Sequence, residues 1–235
     1  RVLRHRPGDP LWAGRDRFIL SIGHVAPVLY ASLAHAGYFP REELMSLRKL
    51  GSRLQGHPGR DHKLPGIELS AGSLGQGLSV ACGMALAAKL DEEPYRVYCL
   101  LGDGELQEGS VWEAAMSAGH HKLGMLTAIV DRNKLQIDGP TSEVMEIEPL
   151  KEKWKAFGWE VMECNGHDHQ AIVERLLSKS TARPRVLIAH TVMGKGIPSI
   201  EGNHLWHGRP PTKAELPGFL EELQQSYQQN IQDHE

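Results

Sequence analysis

Five short apolar runs rich in β-forming residues most constrain the fold: FILSIG (18–23), RVYCLL (96–101), LTAIVD (126–131), WEVMECN (159–165) and RVLIAHTV (185–192). None alternates apolar with polar residues as a half-exposed strand does, so each is expected to be covered on both faces, as in a parallel sheet. Parallel neighbours need long crossovers, and the intervening stretches read as helices. LSVACGMALAAKL (78–90), all small or apolar but for one serine and one lysine, predicts a buried helix; GSVWEAAMSAGHHKL (109–123) and HDHQAIVERLLSKS (167–180) predict two more. PREELMSLRKLG (40–51) carries Pro40 at a first helical position and Gly51 as a stop. The expected fold class is α/β: a single doubly wound domain, mostly parallel sheet with helices on both faces and right-handed crossovers. The domain is expected to span 1–210, with 211–235 a Gln- and Glu-rich tail, either an exposed helix or a frayed end.

A formal charge of −3 gives no electrostatic reason to expect nucleic acid as a partner. No run approaches the roughly 18 apolar residues of a membrane span, and no signal-peptide pattern is visible. Cys82, Cys99 and Cys164 are odd in number and far apart, which argues against a disulfide framework or zinc site and for a reducing, cytoplasmic setting. Because the chain opens at Arg1 rather than Met, an upstream segment is expected to be missing.

The second strong feature is CLLGDGELQEG (99–109), an apolar run that ends with Asp103 between two glycines. In an open parallel sheet, ligands bind beyond the carboxyl ends of the strands, where glycines let an anion approach backbone amides and a helix N-terminus. A carboxylate beside an anion is electrostatically wrong unless a cation lies between them. Magnesium resolves the conflict, since it takes one or two protein carboxylates and completes its shell with phosphate oxygens and water. LTAIVD runs into Asp131-Arg132-Asn133, one strand–helix–strand interval beyond Asp103, so Asn133 is the expected second oxygen donor, followed by a nearby backbone carbonyl. A lone GDG is commonly just a turn. The constellation GDG…EG…EA…AGH…DRN is far more specific.

GDGELQEGSVWEAAMSAGHHKLGMLTAIVDRNKLQIDG resembles the thiamine-diphosphate motif in its transketolase variant. ELQEG and AGHHKL are closer to transketolase than to deoxyxylulose-phosphate synthase or the α-subunits of 2-oxoacid dehydrogenases. FILSIGHVAPVLYASL, LQGHPGRDHKLPGIELSAGSLGQGLS and MGKGIPSIEGNHLWHG resemble three further segments of that family, so the ordered motifs cover residues 15 to 209. The resemblance implies that Asp103, Asn133 and the Leu135 carbonyl hold Mg2+, and that Gly104 donates its amide to the diphosphate of thiamine diphosphate. It places Gly72 and Leu74 at the aminopyrimidine and Ile137 against the cofactor. His24, His57 and His207 would face the substrate, His207 also touching the diphosphate. Glu108 and Glu113 match acidic residues at the family's subunit contact, and the small, apolar surroundings of Glu113 suggest a buried partner for it. Lys195 faces phosphate or solvent; His62, His120 and His121 read as ordinary surface residues.

By the same resemblance, the chain carries the cofactor-binding domain alone, without the pyrimidine-binding domain that supplies the activating glutamate. The expectation is therefore the N-terminal subunit of a split transketolase. It would transfer a two-carbon ketol unit between sugar phosphates, with a C-terminal transketolase subunit carrying the pyrimidine-binding domain as partner, in a heterotetramer with two copies of each chain. A Ser-Gly-His-Pro-Gly segment that opens the family has no counterpart before RVLRHRPGDPLW. Rival readings are another thiamine-diphosphate-dependent ketol or acyl transferase subunit, or a non-catalytic cofactor-binding homologue.

Overall fold

The structure is a computed structural model that describes residues 1–179 and 181–232. Among these, seven strands form: β1 (Arg17–Leu20), β2 (Val97–Gly102), β3 (Leu126–Arg132), β4 (Leu135–Gln136), β5 (Gly139–Pro140), β6 (Glu160–Asn165) and β7 (Arg185–His190). The helices are α1 (Ala26–His35), α2 (Gly77–Leu90), α3 (Gly109–His120), α4 (Thr141–Val144), α5 (Leu150–Ala156), α6 (His169–Leu177) and α7 (Leu216–Gln232).

All five apolar runs become strands of one parallel sheet in the order β1-β2-β3-β7-β6, while β4 and β5 make a small antiparallel ladder. The chain steps across β1, β2 and β3, jumps to the far edge at β6 and returns inward to β7. The crossovers from β1 to β2, β2 to β3 and β3 to β6 step the same way and therefore cover one face, while the reversed step from β6 to β7 covers the other. One face of the sheet, with Ile19, Cys99, Ala128 and Ile188, packs on α2, α3 and α5. The other, with Tyr98 and Leu187, meets Ile172 and Leu176 of α6 and the N-terminal Val2 and Leu3. Burying each large aliphatic side chain contributes about 1.5–3 kcal/mol, which is why the continuous apolar runs take the interior strands.

The helix expected at 78–90 begins at Gly77 and buries one face through Leu78, Ala81, Cys82, Ala85 and Ala88. Its small residues let α2 approach α3 closely enough for the Cys82 thiol to lie 3.5 Å from the Ala114 carbonyl oxygen. Trp112, Trp154 and Trp159 seal α3 and α5 against the sheet, ring to ring at about 5 Å. The helix expected at 167–180 covers His169–Leu177, and residue 180 lies outside the described residues.

The α-helix expected over 40–51 does not form. Pro40 is extended, only a 3-10 turn over Arg41–Ser46 follows, and Arg48 takes a positive φ of 59°. No residue of that turn is buried, so it lacks the apolar face that gives a short helix most of its stability. The tail does form an exposed helix, α7, its last residues 233–235 lying outside the described residues. It is held by Phe219 against Trp206, with ring centroids 5.1 Å apart, and by Glu222 accepting from the Ser199 amide at 2.9 Å. Among the described residues no helix is long and apolar enough to cross a membrane.

Candidate functional site

Strand register builds the site. Gly102 at the end of β2 pairs with Asp131 of β3, so Asp103 and Asn133 emerge side by side where both strands stop. A cleft of about 400 Å³ opens there, lined among others by His24, Leu74, Asp103, Gly104, Glu108, Asn133, Leu135, Ile137 and His207. Segments far apart in the chain thus converge on one cleft.

Asp103 lies at the floor, 1% exposed. Its Oδ2 accepts from Arg132 Nη1 at 2.9 Å and from the Lys134 amide at 2.6 Å, and its Oδ1 from the Gly104 amide at 2.8 Å. The positive φ of Lys134, 67°, turns that amide toward the carboxylate. Burial pushes the Asp103 carboxyl above the usual carboxylate range, opposed by the Arg132 guanidinium and the two amides. Arg132 is itself held by Glu148 Oε1 at 2.9 Å and Thr141 Oγ1 at 3.0 Å, a network that sequence reasoning missed although the residue stands inside DRN. Asn133 Oδ1 accepts from the Leu135 amide at 2.9 Å, folding this segment into a tight turn beside Asp103.

A neutral amide oxygen and one carboxylate, half neutralised by an arginine, are hard donors of low total charge. No trio of His, Cys, Asp or Glu converges to hold a metal by itself among the described residues. Such a donor set suits an ion that brings diphosphate oxygens and water with it, and Asn133 and Asp103 each keep an uncommitted lone pair for it. The residues fit the group.

Histidines gather at the opposite side. His24 and His207 face one another with ring centroids 5.2 Å apart. Loss of hydration in the cleft lowers the His24 pKa, followed by the charges of His207 and His57. A neutral His24 can accept as well as donate a hydrogen bond. His57 and Gly72 do not line the cleft. They are exposed and stand together: a Cβ added at Gly72 would lie 4.0 Å from the His57 ring.

Glu108 lines the cleft at the start of α3 and is exposed. Glu113 is exposed and outside the cleft, with no buried partner among the described residues. The reason is helical phase, since Val111, Ala114, Ala115 and Ala118 occupy the inward face of α3 and Glu113 falls between them on the outward side. The Gly104 amide, expected to face a diphosphate, is engaged by Asp103.

Glu105, Gln107, Gln136 and Trp206 also line the cleft and were not anticipated. Gln107 Nε2 donates to Gln136 Oε1 at 2.7 Å and to the Met145 carbonyl at 2.8 Å, tying the turn after β2 to the β4–β5 ladder. Glu105 was legible in principle, as a carboxylate directly beside the apolar Leu106 at a strand end.

Residues 1–229 match the model of a family described as "Transketolase, thiamine diphosphate binding domain". The chain is 44% identical over 224 residues to an apulose-4-phosphate transketolase subunit of Phocaeicola vulgatus, covering 94% of this chain and 79% of that protein. It is 42% identical over 226 residues to a 6-deoxy-6-sulfo-D-fructose transketolase subunit of a Clostridium species, covering 95% and 82%. The crystal structure of transketolase from Campylobacter jejuni superposes with a TM-score of 0.87 at 36% identity, covering 94% of this chain and 36% of that one. The chain therefore spans just over a third of the length of that transketolase chain.

Proposed function

Because the chain belongs to the family of the transketolase thiamine diphosphate binding domain, we propose that it is the cofactor-binding subunit of a split transketolase. It would work with a second chain bearing the pyrimidine-binding domain, two copies of each, in the cytoplasm. The observation that carries this reading is the single cleft where Asp103, Gly104 and Asn133 meet His24 and His207.

Asp103 and Asn133, with the Leu135 carbonyl, would hold Mg2+, and the Gly104 amide would turn to the diphosphate once the ion engages the Asp103 carboxylate. Leu74 and Ile137 would offer apolar surface to the cofactor rings, and Gly72 would lie at the aminopyrimidine. When bound, thiamine diphosphate supplies the carbanion-stabilising chemistry that breaks and remakes a carbon–carbon bond. The chain's own share is orientation and proton handling. His24 and His207, with His57, would hydrogen bond the hydroxyl and carbonyl oxygens of a ketose and move protons at them, transfers typically worth about 10²–10⁴-fold each. Glu108 and Glu113 would lie at the contact between paired subunits, where Glu113 would find the partner it lacks among the described residues.

Two relatives are named for ketoses with an anionic group, one a phosphate and one a sulfonate. That supports a donor of the same kind: a short ketose with a terminal phosphate or sulfonate, from which a two-carbon unit passes to an aldose. The test is calorimetric titration of thiamine diphosphate with and without Mg2+, followed by a transfer assay with the partner chain. Magnesium-dependent binding and partner-dependent transfer are expected. Absence of magnesium-dependent binding to the assembled complex overturns the reading.

A further inference from the structure

Glu105 is 2% exposed and has no Lys, Arg or His within ion-pair distance among the described residues. A buried carboxylate without a cation persists only where several donors replace its lost hydration. Three do so here, each from a different segment. Oε1 accepts from the Ser21 hydroxyl just after β1 and from the Gly75 amide at 2.8 Å; Oε2 accepts from the Gly102 amide at the end of β2, at 3.2 Å. The Ser21 oxygen in turn accepts from the Gly77 amide at 3.1 Å, and Ser110 Oγ donates to the Gly75 carbonyl at 3.1 Å.

Gln76, the residue before α2, makes no side-chain capping bond, so the orphan amides at that helix start are met from a distance by Glu105 and Ser21. The segments so joined are those that bear the site. Ser21 leads into His24, Gly75 follows Leu74, and Gly102 precedes Asp103 and Gly104.

We propose that Glu105 is a positioning residue that locks the β1 end, the Gly72–Gly77 loop and the β2 end into one arrangement before any ligand arrives. This rests on the cofactor reading above. Preorganisation saves the ordering cost that a loose cleft would charge against binding.

The test uses the full chain assembled with its partner subunit, as wild type, Glu105→Gln, Ser21→Ala and, as a remote control, Leu176→Ala on the far face of the sheet. Gln keeps the size of Glu but aims an N–H at the Gly102 amide; Ser21→Ala removes the link to Gly77. Amide hydrogen exchange is read at Gly75, Gly77 and Gly102, and affinity for thiamine diphosphate with Mg2+ by calorimetry. Expected are at least tenfold faster exchange at Gly102 in Glu105→Gln and at Gly77 in Ser21→Ala, each with cofactor Kd raised at least tenfold. Leu176→Ala should lower Tm and leave Kd unchanged. Either variant with wild-type exchange or wild-type Kd overturns the inference, as does a Kd that rises equally in Leu176→Ala. A wild-type complex of chain and partner that binds no cofactor overturns the cofactor reading instead, while the exchange data still report on the clamp.

Discussion

Arg132 and Asp103 form an ion pair across the carboxyl ends of β3 and β2, Nη1 2.9 Å from Oδ2, with side chains 5% and 2% exposed. The guanidinium holds the carboxylate in place and offsets its charge where the metal is proposed to sit. Glu148 on the other side of Arg132 shares the guanidinium, so the three groups together keep one net negative charge.

Replacing Arg132 by Met leaves a buried carboxylate without its cation, and breaking such a pair from one side typically costs about 3–5 kcal/mol. The Arg132→Met chain should melt well below wild type. Thiamine diphosphate with Mg2+ should then raise its Tm by more than it raises that of wild type, because the metal takes over part of the guanidinium's role. Equal upshifts would mean that metal and arginine do not share Asp103.

Asp103→Asn preserves volume while removing the charge that attracts the ion. Magnesium-dependent cofactor affinity should fall by more than the roughly 10–100-fold typical of residues that only support a metal ligand. Calorimetry checks this directly, and wild-type affinity in the variant would remove Asp103 from the metal site.

His24 has a pKa held below the ordinary histidine value, first by lost hydration and then by His207 and His57. The unfolded chain therefore binds the proton more readily than the folded one. The contribution of His24 to stability is present above the unfolded pKa and is lost as pH falls through the folded one. The His24 ring resonance followed by NMR should titrate below a free histidine, and His207→Ala should move its midpoint upward. A His24 midpoint unmoved by that change would show that the two rings are not coupled.

Gly75 and Gly72 should respond differently to alanine. Gly75 has a φ of +81°, and a Cβ there would come within 2.6 Å of Ser110 Oγ and 2.7 Å of the Glu108 Cβ. Left-handed strain alone costs about 1–2 kcal/mol, so Gly75→Ala should lower Tm and weaken cofactor binding together. Gly72 has no positive φ and nothing nearer than His57 at 4.0 Å. Gly72→Ala should stay within about 0.5 kcal/mol of wild type in denaturant melts, its effect confined to the cofactor.

Phe219→Ala removes the ring packed on Trp206, which sits one residue before His207. Hydrogen exchange across 196–206 should rise, and Trp206 emission should change, while exchange in β2 and β3 stays as in wild type. Unaltered exchange in the loop would show that α7 does not hold it.

Sequence alone determined the five strands, their parallel arrangement and half of the residues that line the cleft. Burial on both faces writes itself as unbroken apolar runs, and binding at strand ends writes itself as Gly-Asp-Gly and Asp-Arg-Asn just after two of them. What only the tertiary structure decided were the contacts between segments distant in the chain: Arg132 on Asp103, Glu105 on Ser21 and Gly75, and α7 on Trp206. It also turned Glu113 outward and reduced 40–51 to a 3-10 turn. Periodicity and turn chemistry act over a few residues and can be read locally. Which charge meets which amide depends on the order and register of strands, a global property that no local pattern encodes.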